Sequence, residues 1–341
     1  LAFPIEKKGK RNYKMNNFSI VDVLELKVIS GEELTFEEAI DLTKENCFSL
    51  ARSADRIRRH FSGNEMVLCS IINAKSGKCP EDCRYCAQSS YYSTNINEYP
   101  LISYEEILPQ ALKMKSLGVQ RFSIVTSGRA LNDEEFDSVC NIISSLVRDT
   151  GMTICASIGF MTMERAVKLK QAGLSLYHHN LETNNSYFSK ICSTHSHREK
   201  LETIRNIRSA DIELCIGGII GLGETWNDRA AFAFEIKSLD PQSVPLNILS
   251  PIEGTPLFGI NKISPEDIIK TIAIFRFIMP RKNIRYAGGR MNLGHLHDEG
   301  ILSGINGLMI GDFLTTQGRS VNDDISMLES MGFNYKNPKE A

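Results

Sequence analysis

Short apolar runs alternate along the chain with longer amphipathic stretches. The runs at 66–74, 119–126, 152–157, 174–180, 213–219, 244–249, 284–287 and 307–313 have the length and near-continuous apolarity of strands buried on both faces. The stretches between them are long enough for helices, and several carry start and stop signals. Ser103 is followed three residues later by Glu106, the spacing of a capping box, and Gly118 closes that helix. Pro109 inside it is expected to kink it, because proline cannot donate a helical hydrogen bond. Thr35 with Glu38 opens a helix ahead of the first run, and Ser264 precedes Pro265 at the start of another that Pro280 ends.

Repeated strand–helix alternation predicts a parallel sheet with crossover helices, and eight such units predict an α/β fold of the (β/α)8 TIM-barrel type with an N-terminal helical extension. A doubly wound open sheet would give similar local signals. No low-complexity linker or strong internal repeat divides the chain, so one domain is expected over 15–341. It comprises N-terminal helices at 15–62, a barrel over about 65–316 and a C-terminal segment at 317–341. Residues 1–14 are basic, lack the apolar core of a signal peptide, and are expected to be disordered or to lie upstream of the fold.

Composition narrows the class. The 341 residues carry a formal charge of -2, with 42 % hydrophobic and 23 % charged residues, as in ordinary globular proteins. Near-neutral charge without a Lys/Arg block argues against nucleic acid as the main partner. No run approaches roughly 18 uninterrupted apolar residues, so no transmembrane helix is expected. The nine cysteines are an odd number in a mid-sized chain and do not suggest a secreted disulfide framework. Metal binding in a reducing cytoplasm is the expectation.

The most specific motif is Cys79-Pro-Glu-Asp-Cys83-Arg-Tyr-Cys86, placed just after the first predicted strand. Thiolates are soft ligands for iron–sulfur clusters or zinc. A structural zinc site takes four protein ligands, and no fourth Cys or His lies nearby in sequence. Three ligands leave one iron of a [4Fe–4S] cube open to a substrate. A second motif, Gly217-Gly218-Ile219-Ile220-Gly221-Leu222-Gly223-Glu224, follows the fifth predicted strand. Its glycines would let backbone approach a flat ligand, although a glycine-rich β/α turn alone would read the same way. The dinucleotide fingerprint G-x-G-x-x-G is absent.

C-x3-C-x2-C with an aromatic, here Tyr85, before the third Cys resembles the radical S-adenosylmethionine (SAM) signature. The glycine motif resembles that superfamily's G-x-I-x-G-x-x-E. Within the superfamily the chain is similar to the biotin synthase family from about Met66 to Gly332. The likeness rests on 74–89 (AKSGKCPEDCRYCAQS), 178–183 (HHNLET), 217–225 (GGIIGLGET), 244–247 (VPLN), 284–290 (IRYAGGR) and 314–316 (LTT).

The resemblance implies sulfur insertion that converts dethiobiotin to biotin. The open iron chelates SAM, the cluster's electron cleaves it, and a 5′-deoxyadenosyl radical removes hydrogen from the substrate. It implies Cys79, Cys83 and Cys86 as cluster ligands. Tyr85, Glu182, Lys200, Gly217 and Gly221 fall near SAM, with Arg198 competing with Lys200 for the methionyl carboxylate. Glu182 stands where the family commonly has Asp, and Lys200 where some members have Arg. Asn180 and Asn247 match ureido-binding asparagines, and Thr315 and Thr316 match hydroxyl donors to the substrate carboxylate.

The family also holds an auxiliary iron–sulfur cluster, [2Fe–2S] in its usual pattern, as sulfur donor. Cys155, Cys215 and Arg285 match three of its ligand positions, but the fourth is Ser123 here. Cys69, on the first predicted strand, is the candidate replacement, because strands one, three, five and seven would then supply one interior layer. The departure puts the cluster's nuclearity in doubt. Cys192, Cys47 and Cys140 read as structural or incidental. The resemblance further implies a homodimer and a flavodoxin- or ferredoxin-type electron donor. The alternatives are a hydrogenase-maturation or methylornithine-forming radical SAM enzyme on the same barrel, or a non-catalytic metal-binding scaffold.

Overall fold

The computed structural model describes residues 19–314 and 318–335. The segment 1–14 and the pair Thr315 and Thr316 lie outside the described residues. Each predicted apolar run contains a strand: β1 (Val67–Lys75), β2 (Arg121–Thr126), β3 (Thr153–Ser157), β4 (Leu176–His178), β5 (Glu213–Cys215), β6 (Gly218–Ile220), β7 (Ser243–Ile248), β8 (Asn283–Tyr286) and β9 (Gly307–Met309). All pair in parallel in the order β5-β4-β3-β2-β1-β9-β8-β7-β6, and a further β5–β7 pairing joins the two ends. The sheet is a closed barrel of eight staves, because β5 and β6 are halves of one.

That stave is expected as one strand over 213–219 and is broken at Ile216-Gly217. The Gly217 N–H leaves the ladder to donate to Asn180 Oδ1 at 3.2 Å. A Cβ on Gly217 would stand 1.7 Å from the Pro245 carbonyl oxygen, so only glycine allows the two backbones to approach this closely.

Helices α1 (Ile20–Ile29), α2 (Phe36–Leu42) and α3 (Cys47–Ser62) precede the barrel, and α3 packs on α10 (Pro265–Ile278). Between these come α4 (Tyr104–Ser116), α5 (Asp133–Thr150), α6 (Met163–Gln171), α7 (Asn185–Phe188), α8 (His197–Ser209) and α9 (Trp226–Ser238). The expected caps form. Glu106 accepts from the Ser103 N–H at 2.8 Å, Glu38 from the Thr35 N–H at 2.8 Å, and Ser264 from the Asp267 N–H at 3.1 Å. Helix α4 runs through Pro109 unbroken.

Period-2 alternation sorts the strand residues into two faces. Leu68, Phe122, Ile154, Tyr177, Leu214, Val244, Ile284 and Leu308 join the hydrophobic core between sheet and helices. Their neighbours Cys69, Ser123, Cys155, His178, Cys215, Pro245, Arg285 and Met309 line the interior instead. One pattern thus buries the barrel wall and sends the chemistry-bearing side chains inward.

Candidate active site

The loop after β1 carries Cys79, Cys83 and Cys86 at the C-terminal mouth of the barrel, where barrel enzymes place their chemistry. Gly77 and Lys78 both adopt positive φ, +80° and +52°, which turns the chain sharply into the motif. The loop closes on itself through the Cys79 N–H to the Gln88 carbonyl (3.0 Å) and the Cys86 N–H to the Cys83 carbonyl (2.9 Å). It is fastened to the segment after α7 by the Arg84 N–H, which donates to the Ile191 carbonyl at 2.9 Å. Asp82 Oδ1 accepts from the Ser193 and Thr194 N–H groups at 2.8 and 3.1 Å.

A cavity of about 360 Å³ descends from Tyr85 and Cys86 at the mouth to Cys69, Cys155, Cys215 and Arg285 at the floor. Ser123 lines it beside them, and Asn180, Glu182 and Asn247 occupy its wall. Burial pushes the Cys69 and Cys155 thiols up, and Arg285 opposes that shift at both. The Arg285 guanidinium, itself buried, is fixed by Ser243 Oγ (3.0 Å from Nε) and Asn283 Oδ1 (3.3 Å). Arg121 adds a second positive charge near Cys69 and Cys155, and its Nη1 is buried without a hydrogen-bond partner among the described residues.

The donor atoms gather differently at the two ends of the cavity and beside it. Among the described residues only Cys83, Cys192 and His195 gather three donor atoms within 4.8 Å of one another. The sets Cys79/Cys83/Cys86 and Cys69/Cys155/Cys215 are each more spread, wider than the roughly 3.8 Å between sulfurs around one tetrahedral zinc. Three soft donors in each set, with the Arg285 guanidinium among those at the floor and Arg121 acting on Cys69 and Cys155 by charge, fit anionic iron–sulfur clusters.

Two family models match the chain: the Radical SAM superfamily over residues 74–236 and the Biotin and Thiamin Synthesis associated domain over residues 245–334. Biotin synthase of Acetivibrio thermocellus is 45 % identical over 315 residues, covering 91 % of this chain and 98 % of that protein. Biotin synthase of Clostridium tetani is 46 % identical over 318 residues, covering 92 % and 98 %. The chain belongs to the biotin synthase family. It is therefore a radical SAM enzyme of the sulfur-inserting kind, and the family requires SAM and iron–sulfur clusters. Among solved structures, methylornithine synthase superposes with a TM-score of 0.81 at 20 % identity, covering 93 % of this chain and 98 % of that one. The FeFe-hydrogenase maturase HydG from Carboxydothermus hydrogenoformans gives 0.78 at 19 %, covering 93 % and 80 %. These two likenesses show the barrel fold alone.

For a biotin synthase family member, the remaining candidate residues fall as follows. Lys200 is buried on the inner side of α8, its ammonium 5.8 and 5.9 Å from the Phe160 and Phe188 ring centroids. Arg198, its competitor, is exposed on the same helix. Glu182 has φ +71°, a conformation that costs a non-glycine residue free energy and here turns its side chain beside Asn180 (3.3 Å). Both asparagines also clamp backbone. Asn180 holds the Gly217 N–H, and Asn247 accepts from the Gly288 N–H (2.9 Å) and donates to the Gly218 carbonyl (3.2 Å).

Gly217 and Gly221 do not line the cavity, whereas Ile219 does. Gly221 is required by φ +90°, and its N–H is closed by Glu224 Oε1 at 2.9 Å, so the motif's glycines and glutamate shape the turn itself. Thr315 and Thr316 lie outside the described residues.

Three features escape a reading of the sequence. His178 lines the cavity with Nδ1 3.4 Å from Cys215 Sγ, and burial holds its imidazole down to about 4. Arg121, at the start of β2, lies close enough to Cys69 and Cys155 to act on their thiols by charge. Cys192, expected to be structural or incidental, stands 3.8 Å from Cys83 Sγ and beside His195. The C-x2-H spacing at 192–195 was the available signal for that last pair.

Proposed function

We propose that the chain converts dethiobiotin to biotin by inserting sulfur between two unactivated carbons. The observation that carries this reading is the single cavity that touches Cys86 and Tyr85 at one end and Cys69, Cys155, Cys215 and Arg285 at the other. A substrate held between them faces a radical source and a sulfur source at once. When bound, the mouth cluster with SAM supplies the 5′-deoxyadenosyl radical, and the floor cluster supplies the sulfur.

The chain's own residues then have distinct tasks. Cys79, Cys83 and Cys86 would hold the mouth cluster, three protein ligands that would leave a position for SAM. Lys200 supplies a positive charge to the methionyl carboxylate, an assignment supported by its burial without an ion pair among the described residues. Glu182, on the cavity wall, would accept hydrogen bonds from the ribose hydroxyls, and Tyr85 flanks the mouth. Gly217 and Gly221 shape the turn that bounds SAM. Asn180 and Asn247 offer amide donors and acceptors to the ureido ring from the cavity wall. Thr315 and Thr316 are assigned to the substrate carboxylate.

At the floor Cys69, Cys155 and Cys215 bind the auxiliary cluster, with Arg285 beside it. Ligation requires thiolates, so binding works against the burial that pushes the Cys69 and Cys155 thiols up. Cys69 takes the place that Ser123 leaves without a soft donor. A guanidinium keeps its proton, so Arg285 acts on the cluster by charge and hydrogen bonding as well as by any coordination. We assign the electron donor to the flavodoxin or ferredoxin class, the assembly to a homodimer, and the location to the cytoplasm. Among the described residues no helix is long and apolar enough to cross a membrane.

Anaerobic incubation of the reconstituted protein with dethiobiotin, SAM and a reductant tests the reading. Two carbon–sulfur bonds need two hydrogen abstractions, so about two 5′-deoxyadenosines per biotin are expected. SAM cleavage on another small molecule, with dethiobiotin untouched, would move the chain to the methylornithine or maturase type of activity.

A further inference from the structure

The segment between α7 and α8 carries metal-type donors that the mouth cluster does not use. Cys192 Sγ lies 3.8 Å from Cys83 Sγ, and 3.3 and 3.7 Å from His195 Nδ1 and Nε2. All three residues offer a donor atom within 4.8 Å of the others. Two thiolates and an imidazole around one tetrahedral ion, at bond lengths of about 2.3 and 2.0 Å, would stand roughly 3.8 Å (S to S) and 3.6 Å (S to N) apart. The Cys83–Cys192 and Cys192–His195 Nε2 spacings match those values, and the Cys83–His195 pair also lies within 4.8 Å.

The support around it is that of a metal site as well. Glu81 Oε2 lies 2.5 Å from His195 Nδ1, and both side chains are buried. A carboxylate that accepts the Nδ1 proton leaves Nε2 as the ligand and raises its basicity, as behind many metal-bound histidines. Glu81 is itself fixed by Arg129 Nη1 at 3.0 Å and by the Thr194 hydroxyl. Cys192 and Asp82 border an open cavity of about 640 Å³, which gives an ion a route in and leaves a fourth position for water.

We propose that in the chain without its mouth cluster, Cys83, Cys192 and His195 bind one divalent cation of the zinc, cobalt or ferrous type, with Glu81 orienting His195. Both sulfurs bind as thiolates, any proton they carry passing to solvent on binding, and no electron is transferred. The site and the cube compete, because both need Cys83; only this competition rests on the function proposed above.

The test is cobalt titration of the full chain, stripped of iron under anaerobic reducing conditions. One equivalent should give thiolate-to-cobalt charge-transfer and tetrahedral ligand-field bands, and zinc should abolish them. Cys192→Ala should lose the spectrum, and Cys79→Ala should keep it. Glu81→Gln should weaken binding about ten- to a hundredfold. Prior loading with one equivalent of zinc should slow recovery of the cube's absorbance in the wild type but not in Cys192→Ala. Absence of binding, a full spectrum in Cys192→Ala, or its loss in Cys79→Ala would overturn the proposal. If circular dichroism shows Cys192→Ala unfolded, His195→Gln replaces it, and an unchanged spectrum in that folded variant overturns the proposal equally. None of these readouts needs turnover, so failure here leaves the assignment of the reaction standing.

Discussion

Replacing Lys200 by Met should move stability and SAM affinity in opposite directions. The ammonium is buried, stacked near two phenylalanine rings, and no carboxylate among the described residues lies within ion-pair distance. Two weak cation–ring contacts return about 0.5–1 kcal/mol each. An uncompensated buried charge costs several kcal/mol even after relaxation. Met keeps the length and apolar stem of Lys without the charge, so Lys200→Met should raise the folding free energy of the ligand-free protein by about 1–2 kcal/mol. The charge is retained, on this account, because it meets the carboxylate of SAM. Removing it should weaken SAM binding by about ten- to a hundredfold, which is about 1.4–2.7 kcal/mol. Urea denaturation gives the first quantity and equilibrium dialysis with labelled SAM the second. Unchanged SAM affinity would remove Lys200 from the site, and a loss of stability would show that the ammonium has a structural partner. Arg198→Ala, on the exposed face, should change neither.

At the floor, Cys69→Ser should keep SAM cleavage but lose auxiliary iron and biotin formation; normal iron content and yield would reduce Cys69 to packing and return attention to Ser123. Asn247→Ala strands the Gly288 N–H and the Gly218 carbonyl, so it should cost about 1–3 kcal/mol of stability and weaken dethiobiotin binding about ten- to a hundredfold. Lost stability with unchanged binding would make Asn247 a strand clamp only. Burial holds the His197 imidazole down to about 4 and that of His179 well below 6.5. The unfolded chain therefore binds protons there first, and stability should fall as pH drops from 6.5 towards 4. The slope is up to about 1.4 kcal/mol per pH unit for each histidine, partly offset by Glu235, whose carboxyl burial raises. Urea midpoints at about pH 7 and pH 5 should show a smaller drop for His197→Gln than for the wild type, and equal drops would contradict the assignment.

Much of this architecture was readable before any coordinates. Apolar runs bounded by capping signals placed every stave, because burial on both faces leaves little room for polar residues in a barrel wall. The alternation that sends Cys69, Cys155, Cys215 and Arg285 inward is a local property of strands; the family resemblance singled out Cys155, Cys215 and Arg285, and strand position added Cys69. Other features depend on closure. The break at Gly217 is imposed by the Pro245 carbonyl on a neighbouring stave; the Gly217-Gly218 pair marks the turn in sequence, but not the stave that forces it. Cys83 and Cys192 are 109 residues apart and meet only because the loops after β1 and β4 share the barrel mouth. Arg121 stands among polar residues at the edge of an apolar run, and only the closed barrel shows that it acts on the floor thiols by charge. The glycines of 217–224 were legible as a turn, but the turn's own backbone accounts for them before any ligand does.

The claim that one cavity joins a radical source to a sulfur source is tested most directly by labelling the sulfur. The protein is reconstituted with isotopically labelled sulfide, freed of excess sulfide, and given dethiobiotin, SAM and reductant for a single anaerobic turnover. The account predicts labelled biotin, with loss of auxiliary-cluster absorbance in step with its formation. Unlabelled biotin, or SAM cleaved at full rate while the auxiliary cluster stays intact and no carbon–sulfur bond forms, would contradict it.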